Sequence, residues 1–462
     1  MGELEDYVKK RLSEGIHLNV IRSELLSHGY LESDIDHIVR QHSLEKSEHK
    51  KRHHDSINRF GAAKEILDRI GYGFSSIQWL NILLFQTGAS IFTLGIVNGV
   101  IVLFTVWISS FLHDFARTIK SIDRNIHIAA IGVSGSFLMM ALARIYNHQP
   151  LFILAMLISA VSVVFYGDLY AKLLKENVSR ERLSGVLKKV SHFGLIVTAA
   201  SLMISAVILD YNENGYIMVF CGAALAFVLG SFMLPPVALQ NKTFTRRETY
   251  VIELRFFFSN IFSHLKFYMR DRIILVLLVT ASITAFVQAL GNAYYGVFMY
   301  QYLKDVGFGP FRNVAIIFVL AMLASLIGPS LSHKNSKAYG KFPMLVFGTL
   351  LVSIMPFTLY YNPSLMPIAM ASILAVIGGS MAGFARGLLT MDLIPERHRR
   401  DYFKLSGIIA TIPYLIAIPI GAYVAQVHNL RTLFLILGMI LALIVVPLYF
   451  LIILLHHNKR VV

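Results

Sequence analysis

The chain has 462 residues, of which 56% are hydrophobic and 15% charged, and its mean hydropathy is +0.62. An ordinary soluble domain is about half apolar and about a quarter charged, so this composition excludes most soluble enzymes. The formal charge of +15 is a feature of some nucleic-acid-binding proteins. Here the basic residues follow a topological pattern instead, and we predict no nucleic acid partner.

Residues 1–42 predict a small separate helical module. Leu4 and Tyr7 begin a helical repeat that ends at Gly15, and a second short helix ends at Gly29. Ser33 is a suitable N-cap for a third helix. Three short helices joined by glycine loops resemble the ubiquitin-associated-like three-helix module. The resemblance implies docking of a protein partner; the alternative is a stabilising cytoplasmic cap.

Residues 43–74 predict a linker followed by a surface helix. The stretch from residue 43 to residue 56 is charged and rich in histidine, a composition that cannot bury a core. A metal site formed by its histidines is the alternative, and we predict no metal and no cofactor. Ile57, Phe60 and Leu67 then form an amphipathic stripe, which predicts a helix along the membrane surface.

About a dozen apolar stretches follow, and each is long enough to cross a bilayer. They predict an all-α polytopic membrane protein with six-helix bundles at 75–235 and 273–456, a central cytoplasmic loop at 236–272 and a tail at 457–462. Gly95, Asn98 and Gly99 predict a tight connection between the first two crossings. The predicted crossings are residues 75–94, 97–115, 126–146, 150–170, 187–209, 215–235, 273–300, 312–332, 342–361, 365–390, 403–426 and 431–456.

Lysine and arginine crowd alternate connections between these stretches, and Lys304, Arg312 and Arg431 are the exceptions. By the positive-inside rule the basic connections are cytoplasmic. Both termini are then cytoplasmic and the number of crossings is even. We predict a multi-pass protein of the plasma membrane, with the lipid bilayer as its first partner.

The two halves also echo each other at a separation of roughly 217 residues, as internal repeats do. Leu173–Val186 (LLKENVSRERLSGV) and Thr390–Phe403 (TMDLIPERHRRDYF) are similar charged hinges. A short basic loop follows the second crossing, with Asp114 and Arg117 near its start, and Gly328 keeps the matching glycine in the second half. This layout resembles the major facilitator superfamily, whose members are transporters.

The resemblance implies a solute site near the midplane, lined by the first, fourth, seventh and tenth crossings. Buried polar groups in those crossings are therefore candidates, although amides also tie helices together without binding anything. The substrate-binding candidates are Gln86 near the middle of the first crossing, Ser162 and Tyr166 in the fourth, Gln288 and Asn292 in the seventh, and Arg386 in the tenth.

Charged residues near the cytoplasmic ends predict gates. An arginine at the centre of a membrane helix costs roughly 2.5–3.5 kcal/mol, so Arg386 needs water or a partner. Asp168, at a matching depth of the fourth crossing, is the predicted counter-charge of a gate and a candidate for proton coupling. The alternative is an arginine that reaches a lipid headgroup. Asp114 with Arg117 is predicted to latch the halves together.

We predict no enzymatic activity, because the sequence contains no phosphate-binding glycine loop, nucleophile elbow or zinc-binding helix. The predicted function is secondary active transport by alternating access, with a small polar or anionic solute. The alternative is a membrane-embedded sensor or scaffold on a transporter fold, whose N-terminal module docks a partner.

Overall fold

The computed structural model is all-helical, which confirms the predicted class. It describes residues 62–118, 122–177, 180–233, 271–394 and 414–461, together with Arg11 and single positions between 396 and 412. Some side chains within these ranges, including those of 110–118 and 180–191, are not described. The chain divides into two units, Met1–Ala63 and Lys64–Val462. Apart from Arg11 and residues 271–272, the predicted three-helix module and the predicted central loop lie outside the described residues.

Seven helices of the described part form each half. The first half contains α1 (residues 62–74), α2 (Ile77–Gln86), α3 (Ile91–Thr118), α4 (Ile122–Ile145), α5 (Gln149–Asn177), α6 (Arg180–Tyr211) and α7 (Gly215–Phe232). The second half contains α8 (Arg272–Tyr302), α9 (Pro310–Tyr339), α10 (Lys341–Tyr361), α11 (Leu365–Leu393), α12 (Tyr414–His428), α13 (Leu430–Met439) and α14 (Val446–Val461), with a π-helical segment, Ile440–Val445, between the last two.

The lengths and surfaces of these helices suit a bilayer. Ten spans in the described part are long and apolar enough to cross a membrane, with α13, the π-helical segment and α14 forming one of them. The consecutive pair α1–α2 and the shorter α12 supply the other two of the twelve predicted crossings. Large apolar side chains point outward, for example Ile131 (64% exposed), Ile416 (70%) and Leu443 (68%). In water such exposure would be costly, whereas lipid accommodates it. The chain is a polytopic membrane protein.

The first crossing lies earlier in the chain than residues 75–94. Residues 64–74 do not form the predicted interfacial helix, because α1 packs inside the first half. A Cβ atom on Gly71 would lie 2.7 Å from the ring of Phe227 in α7. The segment also contains Lys64 and Asp68, which are buried as an ion pair. Their charges offset each other, so the segment enters the bundle.

The turn between the first two crossings lies at residues 87–90, where Gly88 has a φ of +88°. The predicted connection at Gly95, Asn98 and Gly99 is wrong, since all three residues lie inside α3. A Cβ on Gly99 would lie 2.6 Å from Ile418 of α12. These glycines therefore allow helices of the two halves to approach closely, which is a common use of small residues in membranes.

Two glycines bring α10 and α11 together in the second half. A Cβ on Gly348 would lie 2.6 Å from the carbonyl oxygen of Gly378, and one on Gly378 would lie 2.5 Å from that of Gly348. The two backbones are thus in direct contact, with no room for side chains between them. This contact helps to hold the second half together as one body.

We expect Gly348→Val to lower the free energy of unfolding by about 1–3 kcal/mol, because overpacking forces the two helices apart. The measurement is thermal unfolding of the purified protein in detergent. Gly383→Val is the matched control, since a Cβ on Gly383 meets nothing within 4 Å. Equal melting temperatures for the two variants would show that the close contact contributes nothing.

Candidate functional site

The two halves meet along a seam, formed by the helix pairs α2–α8, α3–α8, α3–α12 and α6–α9. Most of the hydrogen bonds that the described residues form across it lie at one end of the bundle. We call this the short-loop end, because the short loops 87–90, 146–148, 212–214, 303–309 and 362–364 lie there. Towards the other end, Trp107 Nε1 donates to Thr411 Oγ1 at 3.0 Å and extends the contact of α3 with the second half.

A charged link across the seam joins Asp210, at the end of α6, to the start of α9. The Asp210 carboxylate accepts hydrogen bonds from the backbone N–H of Phe311 (3.0 Å) and of Arg312 (2.9 Å), and it pairs with Arg312 Nε at 3.0 Å. It therefore caps the N-terminus of α9, where the helix dipole favours an anion. We call this contact the Asp210 latch.

The carboxylate of the Asp210 latch is buried and closely surrounded by neighbouring residues. The Asp210 side chain is only 3% exposed, so water competes little for its oxygens. Gly309 has a φ of +131°, and a Cβ there would lie 2.6 Å from Asp210 Oδ2. The ring centre of Tyr211 lies 4.8 Å from the Arg312 guanidinium. In the sequence, Arg312 was noted only as an exception to the alternation of basic connections. Asp210 was not among the predicted site residues.

A second link consists of buried amides. Asn81 Nδ2 in α2 donates to the carbonyl oxygens of Asn292 and Ala293 in α8, both at 3.3 Å. Its Oδ1 accepts from Asn98 Nδ2 of α3 at 2.8 Å. Asn81 is fully buried, and Asn98 is 6% exposed. The amide pair thus holds the first half to the backbone of α8.

Gln86 does not lie near the middle of the first crossing. It is the last residue of α2, at the short-loop end, and its Nε2 donates to the Tyr300 hydroxyl at 2.7 Å. The predicted position is wrong because the crossing runs from residue 62 to residue 86. A cavity of about 590 Å³ opens beside Gln86. Its lining includes Arg144, Asn147, Asp210, Asn212, Glu213, Asn214 and Tyr216.

A buried charged cluster lies inside the first half. Lys64 forms an ion pair with Asp68, one turn along α1, and its ammonium lies 4.5 Å from the ring centre of Tyr166 and 3.5 Å from that of Tyr170. Tyr166 also donates a hydrogen bond to Asp68 at 2.8 Å. These residues belong to α1 and α5, so motion between the halves leaves them together. We call them the α1–α5 clamp.

The α1–α5 clamp includes Tyr166, which was predicted to bind the solute. Tyr166 is 1% exposed and its hydroxyl is bonded to Asp68, so it has no free surface in this conformation. Ser162, one turn earlier, faces Gly132 of α4, where a Cβ would lie 3.0 Å from its hydroxyl. By contrast, the side chains of Gln288 and Asn292 are exposed on α8.

In the described residues, the predicted gate pair, Asp168 and Arg386, does not form an ion pair in this conformation. Arg386 donates to the Tyr449 hydroxyl at 2.6 Å in this conformation. Among the described side chains it forms no ion pair with Asp168, which is half-buried on α5. Arg386 Nε is buried and has no hydrogen-bond partner among the described residues. The side chains of Asp114 and Arg117 lie outside the described part, so their predicted latch stays a prediction.

No protein-family model and no curated protein matches the chain. Solved structures do match it over most of its length. A mutant form of the nucleoside transporter NupG matches with a TM-score of 0.68 and 13% identity, and the match covers 86% of this chain and 99% of that one. The chain has the major facilitator fold. A bacterial homologue of the iron transporter ferroportin, in an inward-facing state, matches with a TM-score of 0.64 and 15% identity, over 86% and 98% of the two chains.

The xylose transporter XylE from E. coli, in an inward open conformation, gives a TM-score of 0.57 at 14% identity, over 85% of this chain and 96% of that one. The major facilitator fold explains why the described helices form two halves with a seam between them. In membrane proteins built from repeats, solute sites lie near the midplane at the repeat interface. The seam is therefore the candidate site, and the groups that line it decide what it can bind.

Proposed function

We propose that this chain is a secondary active transporter that moves a small polar or anionic solute across the cell membrane by alternating access. The observation that carries this proposal is the seam itself. The halves are held together at the short-loop end by side chains, chiefly the Asp210 latch and the Asn81 amide. Such hydrogen bonds can exchange with water, so the halves can separate there.

The orientation follows from the charge pattern. The basic connections are cytoplasmic by the positive-inside rule, so the short-loop end faces outward and both termini face the cytoplasm. In this conformation the outer end is closed by the latch. When the transporter opens outward, alternating access requires two changes. The Asp210 latch breaks at the outer end, and the two halves close at the cytoplasmic end. The predicted pairing of Asp168 with Arg386 belongs to that second conformation.

Polar groups on the seam and in the second half support a polar or anionic solute. Gln288 and Asn292 expose amides one turn apart on α8. Arg386 carries a guanidinium whose observed partner is the neutral Tyr449 hydroxyl. A cation with no counter-charge in a low-dielectric region favours an anion or a strong hydrogen-bond acceptor. The structural neighbours are named for nucleosides, xylose and iron, so the fold itself selects no solute.

A reversible cross-link tests the proposal. A Cβ on Gly99 of α3 would lie 3.2 Å from the Cβ of Ile418 in α12, close to the 3.5–4.5 Å of disulfides. In a Cys221→Ser background, the double variant Gly99→Cys/Ile418→Cys joins the halves when oxidised. The purified protein is placed in liposomes and tested with labelled uridine, D-xylose, L-lactate, inorganic phosphate and tetraphenylphosphonium.

We expect at least one probe to enter the wild-type liposomes. Oxidation of the double variant should abolish that flux, and a reductant should restore it, because a locked seam cannot alternate. Ile418→Cys alone is the control, because it carries one cysteine and keeps Gly99, and oxidation should leave its flux unaffected. Undiminished flux with the disulfide formed would contradict alternating access at this seam. Absence of flux for every probe would favour the sensor or scaffold.

A further inference from the structure

Gln78, near the start of α2, has an unusual environment. It is 5% exposed, and its side chain lies against Gly296 of α8, where a Cβ would collide with the Gln78 Oε1 atom. Within the described part of the chain, this buried oxygen accepts no hydrogen bond. A buried acceptor without a donor is costly, and most buried polar groups avoid that state. The sequence analysis did not select Gln78.

The two helices between which the Gln78 side chain lies carry no charge near it. No residue of α2 is acidic or basic, and α8 has no Asp, Glu, Lys, Arg or His between Ile273 and Tyr302. Any ionic group bound here would lie between these two helices without a counter-ion, and the low dielectric makes that unfavourable. The ligand chemistry that fits is an uncharged hydrogen-bond donor, such as a hydroxyl group.

The position of Gln78 also fits a solute contact. It follows the break in the first crossing at Ser75 and Ser76, both half-buried, and discontinuous helices commonly form solute sites. One turn further along α2, Asn81 bonds to the backbone of Asn292, whose own side chain is exposed. Opening of the short-loop end separates α2 from α8, and this uncovers Gln78 beside an exposed amide.

We infer that Gln78 is a solute-recognition residue, and that its carboxamide binds an uncharged hydroxyl-bearing part of the solute when the short-loop end opens. The inference rests on the proposed transport function and names the chemistry of its solute. When the seam is closed, no described residue donates a hydrogen bond to the Gln78 amide oxygen. Binding of a solute donor therefore favours the open conformation, because a ligand shifts an equilibrium by its differential affinity.

The test compares Gln78→Met, which keeps the shape and removes the amide, with Gln78→Asn, which keeps a shorter amide. Gln149→Met is the matched control, since Gln149 begins α5, which is not among the helix pairs that form the seam. Binding of uridine, D-xylose, L-lactate and inorganic phosphate to the purified full chain is measured by thermal shift. Flux of the same probes in liposomes is measured alongside.

We expect the wild type to bind at least one of the uncharged probes, uridine or D-xylose. Gln78→Met should weaken that binding about tenfold or more, as the loss of a site's hydrogen bond does, while Gln149→Met keeps it and Gln78→Asn keeps part of it. The melting temperature of unliganded Gln78→Met should equal or exceed that of the wild type, because an unpaired buried acceptor is removed. That result separates lost recognition from failed folding.

Three outcomes overturn the inference. One is unchanged binding and flux of the uncharged probe in Gln78→Met. The second is a wild type that responds only to L-lactate or inorganic phosphate, in which case the transport function stands and the assigned solute chemistry fails. The third is a wild type that responds to no probe in either assay, which removes the proposed function together with this inference.

Discussion

Replacing Lys64 by methionine is expected to lower the free energy of unfolding by about 3–5 kcal/mol, the usual cost of breaking a buried ion pair. Asp68 would remain as a carboxylate that is 4% exposed and has lost its cation. The hydrogen bond from Tyr166 would persist, but it does not supply a charge. The measurement is chemical unfolding of the full chain in detergent micelles, followed by circular dichroism.

A second ion pair on the same helix is the control for this experiment. Glu65 and Arg69 have the same i, i+4 spacing at 2.8 Å, but the Arg69 side chain is 36% exposed. Arg69→Met should therefore cost less than about 1 kcal/mol. The double variant Lys64→Met/Asp68→Leu should recover most of the stability, since an apolar pair needs no counter-charge. A Lys64→Met variant no less stable than Arg69→Met would argue against the α1–α5 clamp.

Replacing Asp210 by alanine is expected to shift the conformational equilibrium towards opening at the short-loop end by about 30-fold or more. The buried Asp210 carboxylate accepts two backbone hydrogen bonds from the start of α9. A hydrogen bond to a charged group contributes about 1.5–3 kcal/mol, and these two exist only while the seam is closed. Ala293, 1% exposed on the seam, is replaced by cysteine in a Cys221→Ser background. The rate at which an impermeant maleimide labels this cysteine reports the opening.

Glu213→Ala is the matched control for the latch, because Glu213 is an exposed carboxylate in the same cavity lining as Asp210. It should leave the labelling rate unchanged. Arg312→Met should raise the rate less than Asp210→Ala does, since the two backbone N–H donors still bond to Asp210. Equal labelling of the wild type and Asp210→Ala would show that the latch does not hold the seam closed.

The bundle layout could be predicted from the sequence because each crossing is a local property. An apolar stretch such as Leu430–Leu455 must be helical in lipid whatever lies beside it. The predictions of helix position were wrong where the position depends on packing against distant residues. The apolar stripe of Ile57, Phe60 and Leu67 suggested a surface helix because it covers one side of the helix only, and Gly95 and Gly99 suggested a turn because glycine is common in turns.

The candidate site was harder to predict than the fold. Gln288 and Asn292 were selected because amides are rare in apolar stretches; both are exposed on α8, and their role in solute binding stays a prediction. Gln86 was placed about half a crossing away from its position, since its assigned depth depended on a helix start that was wrong. Gln78 and Asn81 are, like Gln86, amide residues in an apolar stretch. With the correct boundary of the first crossing, the sequence would have made both of them candidates.

Composition, hydropathy and charge pattern by themselves determined that this chain is a helical membrane protein of two similar halves, because burial in lipid acts on each segment separately. Only the tertiary structure decided which residues meet across the seam. Asp210 and Arg312 are 102 positions apart, and Asn81 and Asn292 are 211 apart. Such contacts depend on how helices pack and rotate against each other, and no local pattern encodes that geometry.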